Sequence, residues 1–508
     1  MKTILALSAA GALVANTVGA DPALTIYNQN FAVVRDTLHL DLKRGLNTIS
    51  YPDATMHLEP DSVVLRDPTG RRSLQILEQN FRADPVSEGL LLNYFEGKTI
   101  DFEADSTVKG ESRKDIIRGK IIRSGYTPHI AAYGQYGQQY DYNQMVYSSP
   151  DTGGGQPIIE VNGRLMFHLP GQPLFPSLPD DSILKPTLTW DLDSGEAGPL
   201  DAELGYITGG MSWHADYNLV APEDGDTLDL VGWVTMDNQT GKSFKHAHIK
   251  LMAGGVNKIQ PESPYNRVTM SDGMMSFAGK AGMPPVSEKS FDEYHLYTLE
   301  RPATLLDRET KQVEFVRATG IQSHVLYIYD GAEINARFQG WNWEGIRENR
   351  DYGTDCNPKV WVMREFYNSA TNHLGMPLPK GRLRFYRRDA DGQMEFTGEN
   401  TIDHTPRDER IRVATGDAFD LVGERQRTDF REDSNAHWID ETFSIKLRNH
   451  KTQPVEIRAV EHLYRWNTWD ITAKSDEFVK TDAQTMEFHV TVAPGAEKTV
   501  TYTVHYTW

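Results

Sequence analysis

Residues 228–237 carry two unlike faces. Leu228, Leu230, Gly232, Val234 and Met236 fall on one parity, and Asp229, Val231, Trp233 and Thr235 on the other. A period of two is the spacing of a β-strand and does not fit the 3.6-residue turn of a helix. The stretch sits inside residues 204–259, which read as three or four strands joined by tight turns. Leu204, Tyr206 and Ile207 begin the first of these strands. Trp213 to Val220 form the second, and Ala247 to Ala253 follow the strand at 228–237. Gly209-Gly210, residues 223–226 and residues 238–241 supply the glycines and Asx side chains that turns require. At the far end, Val500, Tyr502, Val504, Tyr506 and Trp508 alternate with Thr499, Thr501, Thr503, His505 and Thr507, one buried face against one wet face. The expected fold class is all-β, built from several β-sandwich, immunoglobulin-like domains with loop insertions.

Lys2, the apolar run from Ile4 to Val18 and the small residues Val18-Gly19-Ala20 have the form of a signal peptide, so the expected mature chain starts near Asp21. The run is short for a spanning helix, which needs ~20 apolar residues, and no later window is long and apolar enough. The expected location is therefore outside the cytoplasm, in the periplasm, at the cell surface or beyond it, with no transmembrane segment in the mature chain. Cys356 is the lone cysteine, so no internal disulfide forms and stability rests on core burial. The net charge of −19 argues against nucleic acid and anionic membrane as partners.

The domain organisation is read as a signal at 1–20, an N-terminal β-sandwich at 21–105 and a hairpin region at 106–196. A central β domain at 197–355 and a C-terminal β-sandwich at 356–508 complete it. Within 106–196, residues 115–123 (DIIRGKIIR) read as a hairpin-like pair around Gly119, and Asn162-Gly163 as a hairpin turn. The stretch from Tyr126 to Tyr147 is low-complexity, rich in Tyr, Gly, Gln and Asn, with no core period. It reads as a flexible or adhesive loop open to self-association. Residues 170–186 form a proline-rich strap, and residues 270–286 a Met/Gly/Pro-rich loop.

Several stretches together resemble a known family. LGYITGG (204–210), SWHADY (212–217), LDLVGWVTMDNQTG (228–241), KLMAGGVN (250–257) and YHLYTLERPATLLDRETKQVEF (294–315) are similar to bacterial domain-of-unknown-function family 4139. So are NSATNHLGMPLPKGRLRFYRRDADG (368–392), GDAFDLVGERQRTDF (416–430) and EHLYRW (461–466). The resemblance covers about 195–508 and extends distantly to mucoidy-inhibitor-type proteins, whose long coiled coil has no counterpart here. It implies an exported all-β envelope protein. The family has no established catalytic residues, so none carries over, and His214, His246 and His248 depart from its pattern.

Candidate sites are sparse. His246 and His248 have the spacing of two ligands on one strand face, and His214 or Asp216 could complete a set, but no third ligand is fixed by spacing. No metal and no cofactor is therefore expected. Glu344 and Glu348 near Trp341 and Trp343, Asp403 with Asp408, and Asp440 with Glu441 are acid pairs of the kind glycoside hydrolysis uses. No Gly-x-Ser-x-Gly elbow, phosphate loop or dinucleotide fingerprint is present. The aromatic C-terminus also resembles that of an outer-membrane barrel, but the proline strap and the charged strands break the required series. The expected function is binding, structural or adhesive, on a polysaccharide, an envelope protein or the chain itself, with Trp341, Trp343 and Glu344 as the binding residues. A carbohydrate-active hydrolase on the same residues is the alternative.

Overall fold

The computed structural model describes residues 13–14, 16–17, 21–83, 85–108, 111–126, 156–258, 286–291, 294–334, 338, 340 and 342–508. Nearly all of the Tyr126 to Tyr147 stretch, the Met/Gly/Pro-rich stretch up to Pro285, most of residues 1–20 and Trp341 lie outside these residues. Strands take up 62% of the chain and helices 4%, so the protein is all-β. Two compact units divide it. The first comprises 1–213, 235–273 and 285–312; the second comprises 214–234, 274–284 and 313–508.

In the first unit the alternation seen in the sequence becomes a sheet in the order Val286–Phe291, Tyr294–Leu299, Phe244–Ala253, Ala23–Tyr27, Phe31–Leu42, Gly198–Gly209, Val64–Arg66. Phe31–Leu42 pairs antiparallel with Gly198–Gly209 along its whole length. Leu38, Leu40 and Leu42 point inward with Leu200, Ala202 and Leu204. A smaller sheet holds Gly45–Tyr51, Thr187–Ser194 and Leu74–Arg82, with Trp190 fully buried in its middle. A third is built on Thr99–Val108 and Glu111–Arg123.

That third sheet corrects one reading. Residues 115–123 are not a hairpin about Gly119 but part of one continuous strand, Glu111–Arg123. Gly119 is there for close approach: a Cβ would come within 2.7 Å of Ile159 Cγ2 and 2.9 Å of Phe102 Cε2. The Asn162-Gly163 turn does join two strands, Ile158–Val161 and Arg164–Met166, and both of its residues have positive φ (51° and 75°).

In the second unit Lys359–Tyr367, Arg410–Asp433, Trp438–Asn449 and Glu497–Thr507 run side by side. Val500, Tyr502, Val504 and Tyr506 face inward and sit opposite Ile445, Phe443, Glu441 and Ile439 in register. They close a core with Val455, Ile457 and Ala459 and with Met486, Phe488 and Val490. Each large apolar side chain buried there contributes ~1.5–3 kcal/mol.

Three fully buried asparagines tie strand ends to loops. The Asn238 amide donates to the carbonyls of Lys242 and Leu306, the Asn368 amide to Met376 and Pro406, and the Asn449 amide to Gln453 and Val492. Each side-chain oxygen in turn accepts a backbone N–H, from Thr240, Gly375 and Lys451. Asn449→Ala leaves those groups unpaired in the interior and lowers stability by ~2 kcal/mol. Asn449→Asp does no better, because a carboxylate has no donor. Denaturant titration checks both, and a neutral result for either counts against the assignment.

Candidate functional site

The strand parity that builds the second unit's core also buries charge. Along Val455–His462 the inward positions are Val455, Ile457, Ala459 and Glu461, and the same parity continues through Leu463 to Arg465. Glu441 shares its face with Ile439, Phe443 and Ile445, and Arg425 follows Leu421 and Gly423. Exposure of these four charged residues is 0% for Glu461, 2% for Arg465, 3% for Glu441 and 5% for Arg425. Buried charge is tolerated only when paired and hydrogen-bonded.

Arg425 Nε lies 2.8 Å and 2.9 Å from the two carboxylate oxygens of Glu461, and Nη1 donates to the Gly353 carbonyl at 2.7 Å. Its guanidinium stacks 4.0 Å from the Phe443 ring centre, and the Tyr502 hydroxyl donates to Glu461. Burial alone would push the Arg425 guanidinium down; the Glu461 carboxylate outweighs it and holds it above its ordinary value. Burial, reinforced by Glu461, pushes the Tyr502 phenol well up.

Arg465 is the second anchor. Its Nη2 donates to Glu441 Oε1 at 2.9 Å, and its Nε lies 2.8 Å from Oε2. Arg427 donates to the same Oε1 at 3.0 Å. The remaining donors of Arg465 reach the main-chain carbonyls of Ile346, Arg347, Asn349, Arg350 and Tyr352 at 2.8–3.4 Å. These carbonyls belong to the end of the short helix Trp343–Glu348 and the turn after it. The last carbonyls of a helix have no partner within it, and a cation there satisfies them and opposes the helix dipole. At the other end, the Asn342 side chain caps the helix by accepting from Gly345 N–H. Arg347 from the helix lies over Trp508 (4.6 Å) and Trp466 (5.4 Å), while Phe430 carries the guanidiniums of Arg427 and Arg465 at 4.7 and 5.2 Å.

His462 and Tyr464, on the opposite parity, face outward. The His462 ring stacks on Tyr464 with centres 5.2 Å apart, and its Nε2 sits 2.9 Å from Asp330 Oδ2. That hydrogen bond raises the imidazole pKa against the opposing effect of burial. The folded state thus binds the proton more tightly. The gain is fully present below the unfolded value of ~6.5 and is lost as pH rises through the raised folded value. The denaturation midpoint therefore falls between pH ~6 and ~8 more steeply in the wild type than in Asp330→Asn. Parallel slopes contradict the assignment.

Of the expected binding residues, Trp343 and Glu344 belong to this helix, and Trp341 lies outside the described residues. Glu344 is exposed in its first turn and Trp343 opens it. Of the acid pairs, Asp440 and Glu441 are split by strand alternation: Asp440 faces His505 at 2.6 Å on one side, and Glu441 is buried on the other. Asp403 is bound to Lys380 at 2.9 Å. Hydrolysis of a glycoside needs one carboxyl group with a raised pKa. Among the described residues, the carboxyl groups that shift do so downward: Asp67 to about 2 through the N–H of Arg72, and Asp482 through the N–H of Gln484. Glu309, Glu314 and Asp476 do so through Lys311, Arg317 and Lys498.

His246 and His248 are both exposed. His246 has φ 52° at an irregularity in its strand between Phe244 and Ala247. His214 lies 3.2 Å from Asp216. Among the described residues no three His, Cys, Asp or Glu side chains converge as metal ligands. No helix among them is long and apolar enough to cross a membrane.

The model of a family described as a domain of unknown function, DUF4139, matches residues 202–508. The chain belongs to the DUF4139 family. No curated protein and no solved structure matches it. The DUF4139 span takes in Arg425, Glu441, Glu461 and Arg465 together with the helix they hold.

Sequence reasoning missed Arg425, Glu461 and Arg465, and it paired Glu441 with Asp440 rather than with Arg465. The signal that could have found them is a charged residue on the apolar parity of a strand, as in VEIRAVEHLYR, where Glu461 and Arg465 continue the series Val455, Ile457, Ala459.

Proposed function

We propose that this is an exported envelope protein whose DUF4139 segment acts by binding a polysaccharide at the Trp343–Glu348 helix. The observation that carries this reading is Arg465, whose two terminal nitrogens gather five main-chain carbonyls around a surface helix. Fixing a surface segment in advance removes ordering cost from association. The sequence around that segment, WNWEG, is of the aromatic and hydrogen-bonding residue types that sugars are bound by. An envelope protein or a second copy of the chain is the other class of partner, with the Tyr126 to Tyr147 loop as the second contact. The signal-peptide form of residues 2–20 supports export.

Titration of the purified chain against cell-wall and exopolysaccharides tests this. Binding that Trp343→Ala weakens about tenfold, equivalent to ~1.4 kcal/mol, supports it. Absence of binding to any member of the panel overturns it. Turnover of a bound glycan that disappears in Glu344→Gln replaces binding with hydrolysis. Deleting residues 127–147 leaves the fold intact and reduces self-association; unchanged association assigns that loop no role in it.

A further inference from the structure

A second buried ionic group lies in the first unit and plays no part in the binding site. In Phe31–Leu42, Asp36 shares the inward parity of Val34, Leu38, Leu40 and Leu42. Lys242 follows the turn at 238–241, which is fixed by the Asn238 side chain: its amide donates to the Lys242 carbonyl at 2.8 Å and its oxygen accepts from Thr240. Asp36 and Lys242 are each 7% exposed, and Nζ lies 3.1 Å from Oδ2. The Tyr51 hydroxyl donates to the same Oδ2 at 2.9 Å, and the amine also contacts the Tyr51 oxygen. The rings of Tyr51 and Phe244, centred 5.0 and 5.5 Å from Nζ, wall the amine off from water. A second carboxylate oxygen, Asp53 Oδ2, is 3.8 Å from Nζ, and its side chain is 43% exposed. Two more hydroxyls, Tyr206 Oη and Thr55 Oγ1, are buried there with no hydrogen-bond partner of ordinary geometry. Asp36 and Asp53 both act on the Tyr206 phenol.

We propose that Lys242 and Asp36 are joined by an amide bond formed within the folded protein. The ingredients are an amine and a carboxyl group held at contact distance in a site walled by aromatic rings, a base within reach of the amine, and a hydroxyl on the carboxyl oxygen. Fixing two reactants in contact replaces a bimolecular encounter with an intramolecular one. Asp53 takes a proton from the Lys242 ammonium, and the nitrogen lone pair adds to Asp36 Cγ. Tyr51 stabilises the negative charge that gathers on Oδ2. Oδ1 then leaves, protonated by way of Asp53. The Nζ–Cγ bond forms and the Cγ–Oδ1 bond breaks. Two protons of the ammonium depart with that oxygen as one water, so no oxidant or further reactant is needed. The product is a neutral amide, which removes two charges from a place where charge is costly. It also closes a loop across 206 positions of sequence in a chain whose single cysteine allows no internal disulfide.

Mass spectrometry of the purified full chain after proteolysis tests the link. The expected result is a branched peptide carrying both Asp36 and Lys242, lighter by one water than its two arms. Recovery of the two arms as separate peptides of full mass from the wild type overturns the proposal, whatever any variant does. Asp53→Ala retains both reacting groups and is expected to fold with the arms unlinked. A link that forms in Asp53→Ala at the wild-type rate overturns the role given to Asp53. Lys242→Arg, which cannot form the amide, gives the unlinked reference.

Discussion

Arg465→Met lowers the stability of the folded chain by ~3–5 kcal/mol, the cost of breaking a buried ion pair by removing one partner. Glu441 is then left in the core with Arg427 as its remaining cation, and the carbonyls of Ile346, Arg347, Asn349, Arg350 and Tyr352 lose their common donor. Methionine keeps much of the volume, so packing alone does not account for a loss of that size. The choice of Arg is chemical: a planar fork with five donors spans a carboxylate and several carbonyls at once, which a lysine ammonium cannot. Denaturant titration gives the number. A loss below ~1 kcal/mol, the range of exposed pairs, shows that Arg465 is not in the low-dielectric setting described.

The Arg425–Glu461 pair gives the second large effect. Glu461→Gln leaves the Arg425 guanidinium buried against a neutral amide, the Gly353 carbonyl and the face of Phe443. Arg425→Met leaves Glu461 with the Tyr502 hydroxyl alone. Each single change costs ~3–5 kcal/mol. The double variant, Arg425→Met with Glu461→Met, costs well under the sum, with a coupling of ~3 kcal/mol, because each single change includes the penalty of stranding the other charge. Additive losses contradict a direct buried pair.

The strands were legible because burial in a sheet follows parity. Residues 228–237 and 499–507 show in space the alternation their letters show, with Leu228, Leu230, Val500, Tyr502 and Tyr506 inward. Gly119 misled because glycine marks both a turn and a close approach, and only a neighbouring strand, here through Ile159, tells them apart. Asp440-Glu441 misled in the same way: adjacent letters suggest a pair, but adjacent strand residues point to opposite faces. The charges that matter were not legible because Arg and Glu are almost never fully buried unless paired, and the pairing is tertiary. Their positions on the apolar parity give Asp36, Glu441 and Glu461 away, but their partners are set by tertiary register over separations of 14 to 206 positions. Lys242, arriving from a turn, shows no such signal.

The central claim is that Arg465 holds the Trp343–Glu348 helix and the turn after it in place from the core below. Amide hydrogen exchange in the wild type and in Arg465→Lys tests it most directly, because lysine keeps the charge near Glu441 but cannot reach five carbonyls. The amides of Ile346, Asn349 and Tyr352, which donate within the helix and turn, are expected to be protected in the wild type. In the variant they should exchange at least about tenfold faster, a loss of ~1.4 kcal/mol in local opening, while Ile445 and Val504 in the core strands keep their protection. Unchanged exchange at Ile346, Asn349 and Tyr352 in a folded Arg465→Lys chain would contradict the claim.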